Sequence, residues 1–206
     1  MQTTKDGKLK FDQVSHTYRR TDNGAQVKSV TQVIDAAGLT DFDSIPIADD
    51  VKARAMLRGT YTHKATELFD RNELDVTTLD DTVRPYFSGW AKFRADTGFM
   101  PIEIELQLLH PTLNYCGTLD RIGLLGGRHV TLDIKTGAAC AWTRIQTAAY
   151  SQLAAGNQIA CAPERYALEL QKTGRYKLHG PWTDPNDFNV FLAALTITNW
   201  HDNKGL

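Results

Sequence analysis

Asp133 and Lys135, in the stretch TLDIKTG (131–137), stand two places apart and so share one face of any strand. Asp120, in GTLD, lies six residues before the Gly126-Gly127 pair, and Asp133 lies six after it. A tight turn at the two glycines would set these carboxylates close together across a hairpin. Like charges so placed repel unless something positive lies between them, and a divalent cation that prefers oxygen ligands meets that need. The competing reading pairs Asp120 with Arg121 or Lys135 and leaves Asp133 solvated; on these residues alone the two readings stand level. Glu103 and Glu105 share a face of IEIELQL, so either is a candidate third carboxylate, with a solvent-facing role the more ordinary one for Glu103. His63 and Glu67 in THKATE fall at i and i+4, one helical face, and a neutral imidazole is a good metal ligand. Gln146 and Tyr150 repeat that spacing just after the DIK strand. Taken singly, each of these spacings also fits an ordinary surface or core contact.

The elements that must position these groups can be read from periodicity and punctuation. Residues 9–20 read as a strand, followed by a turn at Asn23-Gly24 and a second strand. SVTQVIDAAGL reads as a helix capped by Ser29 or Thr31 and ended by Gly38. Helical patterns follow from about Ile47 to Asn72 and from Asp80 to Thr97, the second stopped by Gly98 and Pro101. EIELQLLH, YCGTLDRIGLL and RHVTLDIKT are strand-like, WTRIQTAAYSQLAAG is helical, and RYALELQ and RYKLHG form a hairpin over Thr173-Gly174. A last helix starts at Asp184-Pro185. That order predicts an α/β fold, a central mixed β-sheet flanked by helices, without internal repeats or linkers.

Bulk properties narrow the function. The 206 residues suit one domain, and 42% hydrophobic with 23% charged residues is ordinary for a globular chain. A net charge of −1 excludes coating of nucleic acid by bulk charge, though not a local basic groove. Cys116, Cys140 and Cys161 are too few and scattered for a disulfide framework, and three thiolates exclude a four-thiolate iron–sulfur cluster within the chain. The start MQTTKDGKLKF lacks an apolar core or an Arg-rich amphipathic pattern, and no apolar run reaches membrane-spanning length. A cytoplasmic protein is the expectation.

In chain order the sequence offers G-x-x-x-H-x-x-x-E in GTYTHKATE, then Glu105, G-T-x-D in GTLD, D-x-K in DIK, and Q-x-x-x-Y in QTAAY. This set resembles the RecB-like branch of the PD-(D/E)XK nuclease superfamily. The upstream His16-x-Tyr18 and Ser29 to Thr31 resemble phage-type exonucleases of that branch and mitochondrial genome maintenance exonuclease. The resemblance runs from about residue 16 to 200. It implies a restriction-endonuclease-like αβββαβ core, one nuclease domain over 1–206, and a hairpin-and-helix extension over about 1–46. It implies an Mg²⁺- or Mn²⁺-dependent deoxyribonuclease, with one or two ions, acting on DNA ends or single strands; the alternative is a catalytically silent binding module on the same fold. His63, Asp120, Asp133 and the Ile134 carbonyl would be metal ligands, with Glu67 and Glu105 in support. Lys135 would act on the attacking water and the scissile phosphate, with Gln146 and Tyr150 positioning it or the DNA. The charges of Asp133 and Lys135 are thus expected to face a metal and a phosphate rather than each other. Pro-Asp is absent at Asp120, as is common in this branch, and the Cys-rich iron–sulfur module of some relatives is missing. A recombinase, helicase or single-strand-binding protein would be a fitting partner.

DNA also needs a positive track. Arg54 and Arg58 share a helical face leading to His63, with Lys52 and Lys64 near, and a solvated basic face is an equal reading. Tyr61, Tyr86 and Trp90 are candidates to stack on bases, although most of them suit a core. Trp142, Trp182 and Trp200 are assigned to the core.

Overall fold

Strands of ten and eight residues bracketing two glycines organise the molecule. In the computed structural model, which describes residues 2–4, 6–12, 15–40, 48–159 and 162–205, strands β5 (Met100–Leu109), β6 (Cys116–Leu125), β7 (Arg128–Lys135), β8 (Glu164–Leu170) and β9 (Tyr176–Trp182) form one sheet in that order. Only β7 and β8 run parallel; the other neighbours are antiparallel. Helix α4 (Thr143–Gly156) makes the crossover between that pair, as parallel neighbours require.

A second, four-stranded sheet precedes it: β1 (Gln2–Thr3), β2 (Leu9–Asp12), β3 (Thr17–Arg20) and β4 (Gln26–Val27). The single strand expected over 9–20 is two, β2 and β3, paired with each other. Helix α1 (Val30–Ala36) begins at Ser29, whose hydroxyl accepts from the Gln32 amide while the Gln32 side chain accepts from the Ser29 amide.

Helix α2 (Asp49–Asp70) opens with two acidic residues, favourable at the positive end of its dipole, and buries small side chains, Thr62, Ala65 and Thr66. Helix α3 (Arg84–Thr97) carries Pro85 in its first turn and ends at Gly98, where φ is +63°. Its expected start at Asp80 is a capped turn instead, Asp80 accepting from the Thr82 amide and hydroxyl. Helix α5 (Asn186–Lys204) closes the chain. Ile47 and Cys161, named above, lie outside the described residues, as do 41–46 of the expected extension.

The main sheet carries a core on each face. One gathers Val30 and Val33 of α1, Ala149 and Leu153 of α4 and Phe191 of α5 against Leu106, Leu108 and Leu119. The other sets Trp90 and Phe93 of α3 on Val130, Leu132, Ile134, Leu168 and Leu170. Strand β7 therefore alternates cleanly: Val130, Leu132 and Ile134 face α3, which turns Asp133 and Lys135 toward α4. From α2 through α4 to β8 the order is αβββαβ, with helix α3 added before the first strand. No helix among the described residues is long and apolar enough to cross a membrane.

Candidate active site

The hairpin register decides where the acidic residues meet. Arg121 pairs with Leu132, so one step further Asp120 stands opposite Asp133. The ladder stops there because the Ile134 amide donates instead to Asp120 Oδ2, at 2.6 Å. On the other side, β5 pairs through Ile104 with Arg121 and through Leu106 with Leu119, which puts Glu105 beside Asp120. Glu105 holds φ at +49°, a conformation that costs a non-glycine residue about 1 kcal/mol or more and recurs where function over-determines the backbone.

Helix α2 runs along this edge. Gly59 lies against Thr136, where an added Cβ would come 3.5 Å from the hydroxyl. One turn on, His63 Nε2 is 3.1 Å from the Ile134 carbonyl oxygen, and Nδ1 is 3.4 Å from Asp120 Oδ1 and 3.5 Å from Glu105 Oε1. One ligand atom each from His63, Glu105 and Asp120 fall within 4.8 Å of one another. Burial pushes the imidazole down, but the charges of Asp120 and Glu105 outweigh it and hold His63 well above its ordinary value. Burial raises Asp120, and His63 with the Ile134 amide overcomes that, leaving its carboxyl below the usual range. A proton on His63 thus sits where a cation would.

Asp133 and Lys135 line the same cleft of about 340 Å³ with His63, Asp120, Gln146 and Tyr150. They do face each other: Lys135 Nζ lies 2.9 Å from Asp133 Oδ2. That corrects the expectation that their charges point apart, and the reason is the strand itself, which sets side chains two apart on one face. The contact is a close ion pair on a buried carboxylate. Burial, reinforced by the charge of Asp120 and opposed by Lys135, raises Asp133 to about 6. Lys135 also donates to Gln146 Oε1 at 2.9 Å and stands 5.2 Å over the Trp142 ring. Gln146 Nε2 in turn faces the Tyr150 hydroxyl at 3.3 Å and the Thr31 hydroxyl at 3.4 Å.

These donors suit a hard divalent ion: carboxylate oxygens, a carbonyl oxygen and one imidazole, with no thiolate among them. Two buried carboxylates, Asp120 and Asp133, standing opposite one another most directly ask for a cation. A search against protein-family models finds none that matches the chain, and a search of curated proteins finds no match. Among solved structures the chain is similar to an alkaline exonuclease, LHK-Exo, from Laribacter hongkongensis. The two are 20% identical over 57% of this chain and 68% of that one, with a TM-score of 0.29.

Some sequence candidates stand elsewhere. Glu67 is bound by Lys64 at 3.0 Å and Arg71 at 3.2 Å, its neighbours at i−3 and i+4, and neither orients His63 nor joins the cluster. Arg54 is exposed and paired with Asp50 at 2.5 Å. Arg58 is half-buried with its guanidinium 5.1 Å over the Tyr86 ring, so the two arginines differ in surroundings despite their spacing. Tyr61 is 54% exposed, whereas Tyr86 and Trp90 are buried. Trp142 belongs to the core but turns a face to Lys135; Trp182 is half-buried, and Trp200, assigned to the core, is 53% exposed.

Sequence reading missed Arg121 except as a partner for the Asp120 carboxylate. Its guanidinium is fully buried, donating to Asp70 Oδ2 at 2.7 Å, Glu105 Oε1 at 3.0 Å, the Thr66 hydroxyl at 3.0 Å and the Asp120 carbonyl at 2.6 Å. It also lies over the Trp90 ring. The signal available was a lone arginine within an apolar strand, which must find acidic partners from other elements. Gly117 and Thr118 of the GTLD motif likewise acquire reasons. A Cβ at Gly117 would come 2.7 Å from the Tyr150 ring, and the Thr118 hydroxyl meets the Tyr18 hydroxyl at 2.6 Å.

Proposed function

We propose that this chain is an Mg²⁺- or Mn²⁺-dependent deoxyribonuclease that hydrolyses phosphodiester bonds, acting as an exonuclease on DNA ends or single strands. The observation that carries this reading is a cation-binding set, His63, Glu105 and Asp120, next to a cleft where His63 and Asp120 meet Asp133 and a braced ammonium, Lys135. His63, Asp120, Asp133 and the Ile134 carbonyl would hold the metal, with Glu105 in support. A metal so held supplies Lewis acidity toward the phosphate and a more acidic bound water. Lys135, held at 2.9 Å from Asp133, would present its point charge to the non-bridging oxygens of the scissile phosphate. Gln146 fixes the ammonium, Tyr150 fixes Gln146, and Trp142 closes the side away from the substrate.

Arg54, Lys64 and Tyr61 line the exposed side of α2 and are the proposed contacts to DNA backbone and bases, with Arg58 beside them behind Tyr86. In the same reading residues 1–206 act as one nuclease domain in the cytoplasm, alongside a recombinase, helicase or single-strand-binding protein. The test is incubation of end-labelled single- and double-stranded DNA with Mg²⁺, Mn²⁺ or EDTA. Cutting with metal, none with EDTA, and a loss of about 100-fold or more for Lys135→Ala are expected. No cutting under any condition, with Asp133→Ala and Lys135→Ala binding DNA as the wild type does, would sink the reading in favour of a silent binding module.

A further inference from the structure

Gln146 meets Lys135 through an amide, a group with an accepting end and a donating end. An ammonium only donates, so the amide must turn its oxygen to Lys135, and Oε1 does so at 2.9 Å. Flipped by half a turn, it would set N–H against N–H. Gln146 is buried, and a side chain sealed from water must place both of its amide protons on the protein. The Tyr150 hydroxyl, one turn along α4, accepts at 3.3 Å. The Thr31 hydroxyl accepts at 3.4 Å, and it comes from a different element, α1. Tyr150 alone would satisfy one amide proton and leave the other without an acceptor; the second hydroxyl fixes the plane of the amide.

Thr31 is itself held on both sides. The Lys28–Ser29 backbone lies along the start of β6, where the Cys116 amide donates to the Lys28 carbonyl. Ser29 and Gln32 cap the helix reciprocally, and Val30 is fully buried. A Cβ on Gly117 would stand 3.5 Å from Val30 Cγ2 and 2.7 Å from the Tyr150 ring. The missing side chain at Gly117 therefore lets α1 and Tyr150 close together on one amide. Threonine, branched at Cβ, has few rotamers to lose in keeping its hydroxyl there.

We propose that Thr31 is a positioning residue, which orients the Gln146 amide and through it the Lys135 ammonium. This rests on the nuclease reading of the cleft. Thr31→Val keeps the shape and removes the acceptor. On single-stranded DNA with Mn²⁺, kcat is expected to fall about 10-fold at unchanged KM, the size of effect when a buried donor loses its partner. Thr31→Ser should restore kcat to within about 3-fold. In a Gln146→Ala background Thr31→Val should cost nothing further, because its effect runs through that amide. Undiminished kcat in Thr31→Val, a loss carried by KM, no rescue by serine, or full additivity with Gln146→Ala each overturns the role. A second readout needs neither metal nor turnover. The Gln146 side-chain amide protons, identified by NMR as those missing from Gln146→Ala, should exchange with water several-fold faster in Thr31→Val; unchanged exchange equally overturns the role. Should Thr31→Val not fold by circular dichroism, Thr31→Ala takes its place in every arm. A wild type that cuts no DNA removes the nuclease reading and this proposal with it, whereas cutting undiminished in Thr31→Val removes the proposal alone.

Discussion

Arg121–Asp70 and Lys135–Asp133 are both carboxylate–cation pairs withdrawn from water, and they differ in what is left over. In the first, all three guanidinium nitrogens donate, Asp70 takes Arg121 on one oxygen, and Trp90 and Arg94 bind the other. In the second, Asp133 is 3% exposed and meets the single ammonium of Lys135 at 2.9 Å, opposite the buried Asp120 and beside an open cleft. Burial raises both carboxyls, so both store the cost of desolvation. A pair that spends every hydrogen bond internally has nothing to offer a ligand and serves the fold. A pair set beside a second buried carboxylate pays a standing penalty that a bound cation can relieve. The contrast separates scaffold from reactive group more sharply than burial or charge does.

The comparison can be broken at either end. The largest effect is expected from Asp70→Ala, which strands Arg121 and should cost about 3–5 kcal/mol, measured by urea unfolding. A loss below about 1 kcal/mol would mean that this pair is not the scaffold it resembles. Asp133→Asn should do the opposite in metal-free protein. The folded carboxyl titrates at about 6, above its ordinary value, so its contribution is fully present below about pH 4 and is lost as pH rises through 6. The variant should therefore be more stable than wild type at about pH 8, on the order of 1–3 kcal/mol, and level with it near pH 4. Thermal unfolding in EDTA across that range checks both the sign and the window. The smallest effect belongs to Trp142→Leu. Losing the ring beneath Lys135 should cost about 0.5–2 kcal/mol of ammonium placement and lower kcat several-fold with little change in KM. An equal rise in KM would assign Trp142 to substrate binding instead.

The two pairs also show what a sequence does and does not disclose. Asp120 and Asp133 were legible because a hairpin turns equal distances from Gly126-Gly127 into spatial opposition, and the register bears that out. Helix α4 and the β8–β9 hairpin were legible from period and turn residues, and so was the mixed α/β sheet. The direction of Arg121 was not. It depends on Asp70, fifty-one residues upstream, and on a positive φ at Glu105 that no periodicity announces. His63 and Glu67 share a spacing but part company, because Lys64 and Arg71 sit within reach of the glutamate alone. Helix spacing gives a face; the partner on that face is decided by tertiary packing.

Tyr18 of β3 meets Thr118 two residues before Asp120, Thr31 of α1 meets Gln146, and the Cys116 amide donates to the Lys28 carbonyl. The small N-terminal sheet is thus stitched to the same strand and helix that carry the reactive groups. Its sequence is therefore not free to drift as an appendage: a change in β3 propagates to a carboxylate on β6 through one hydroxyl pair. A transplant of the cleft onto another scaffold would have to carry Tyr18, Lys28 and Thr31 with it.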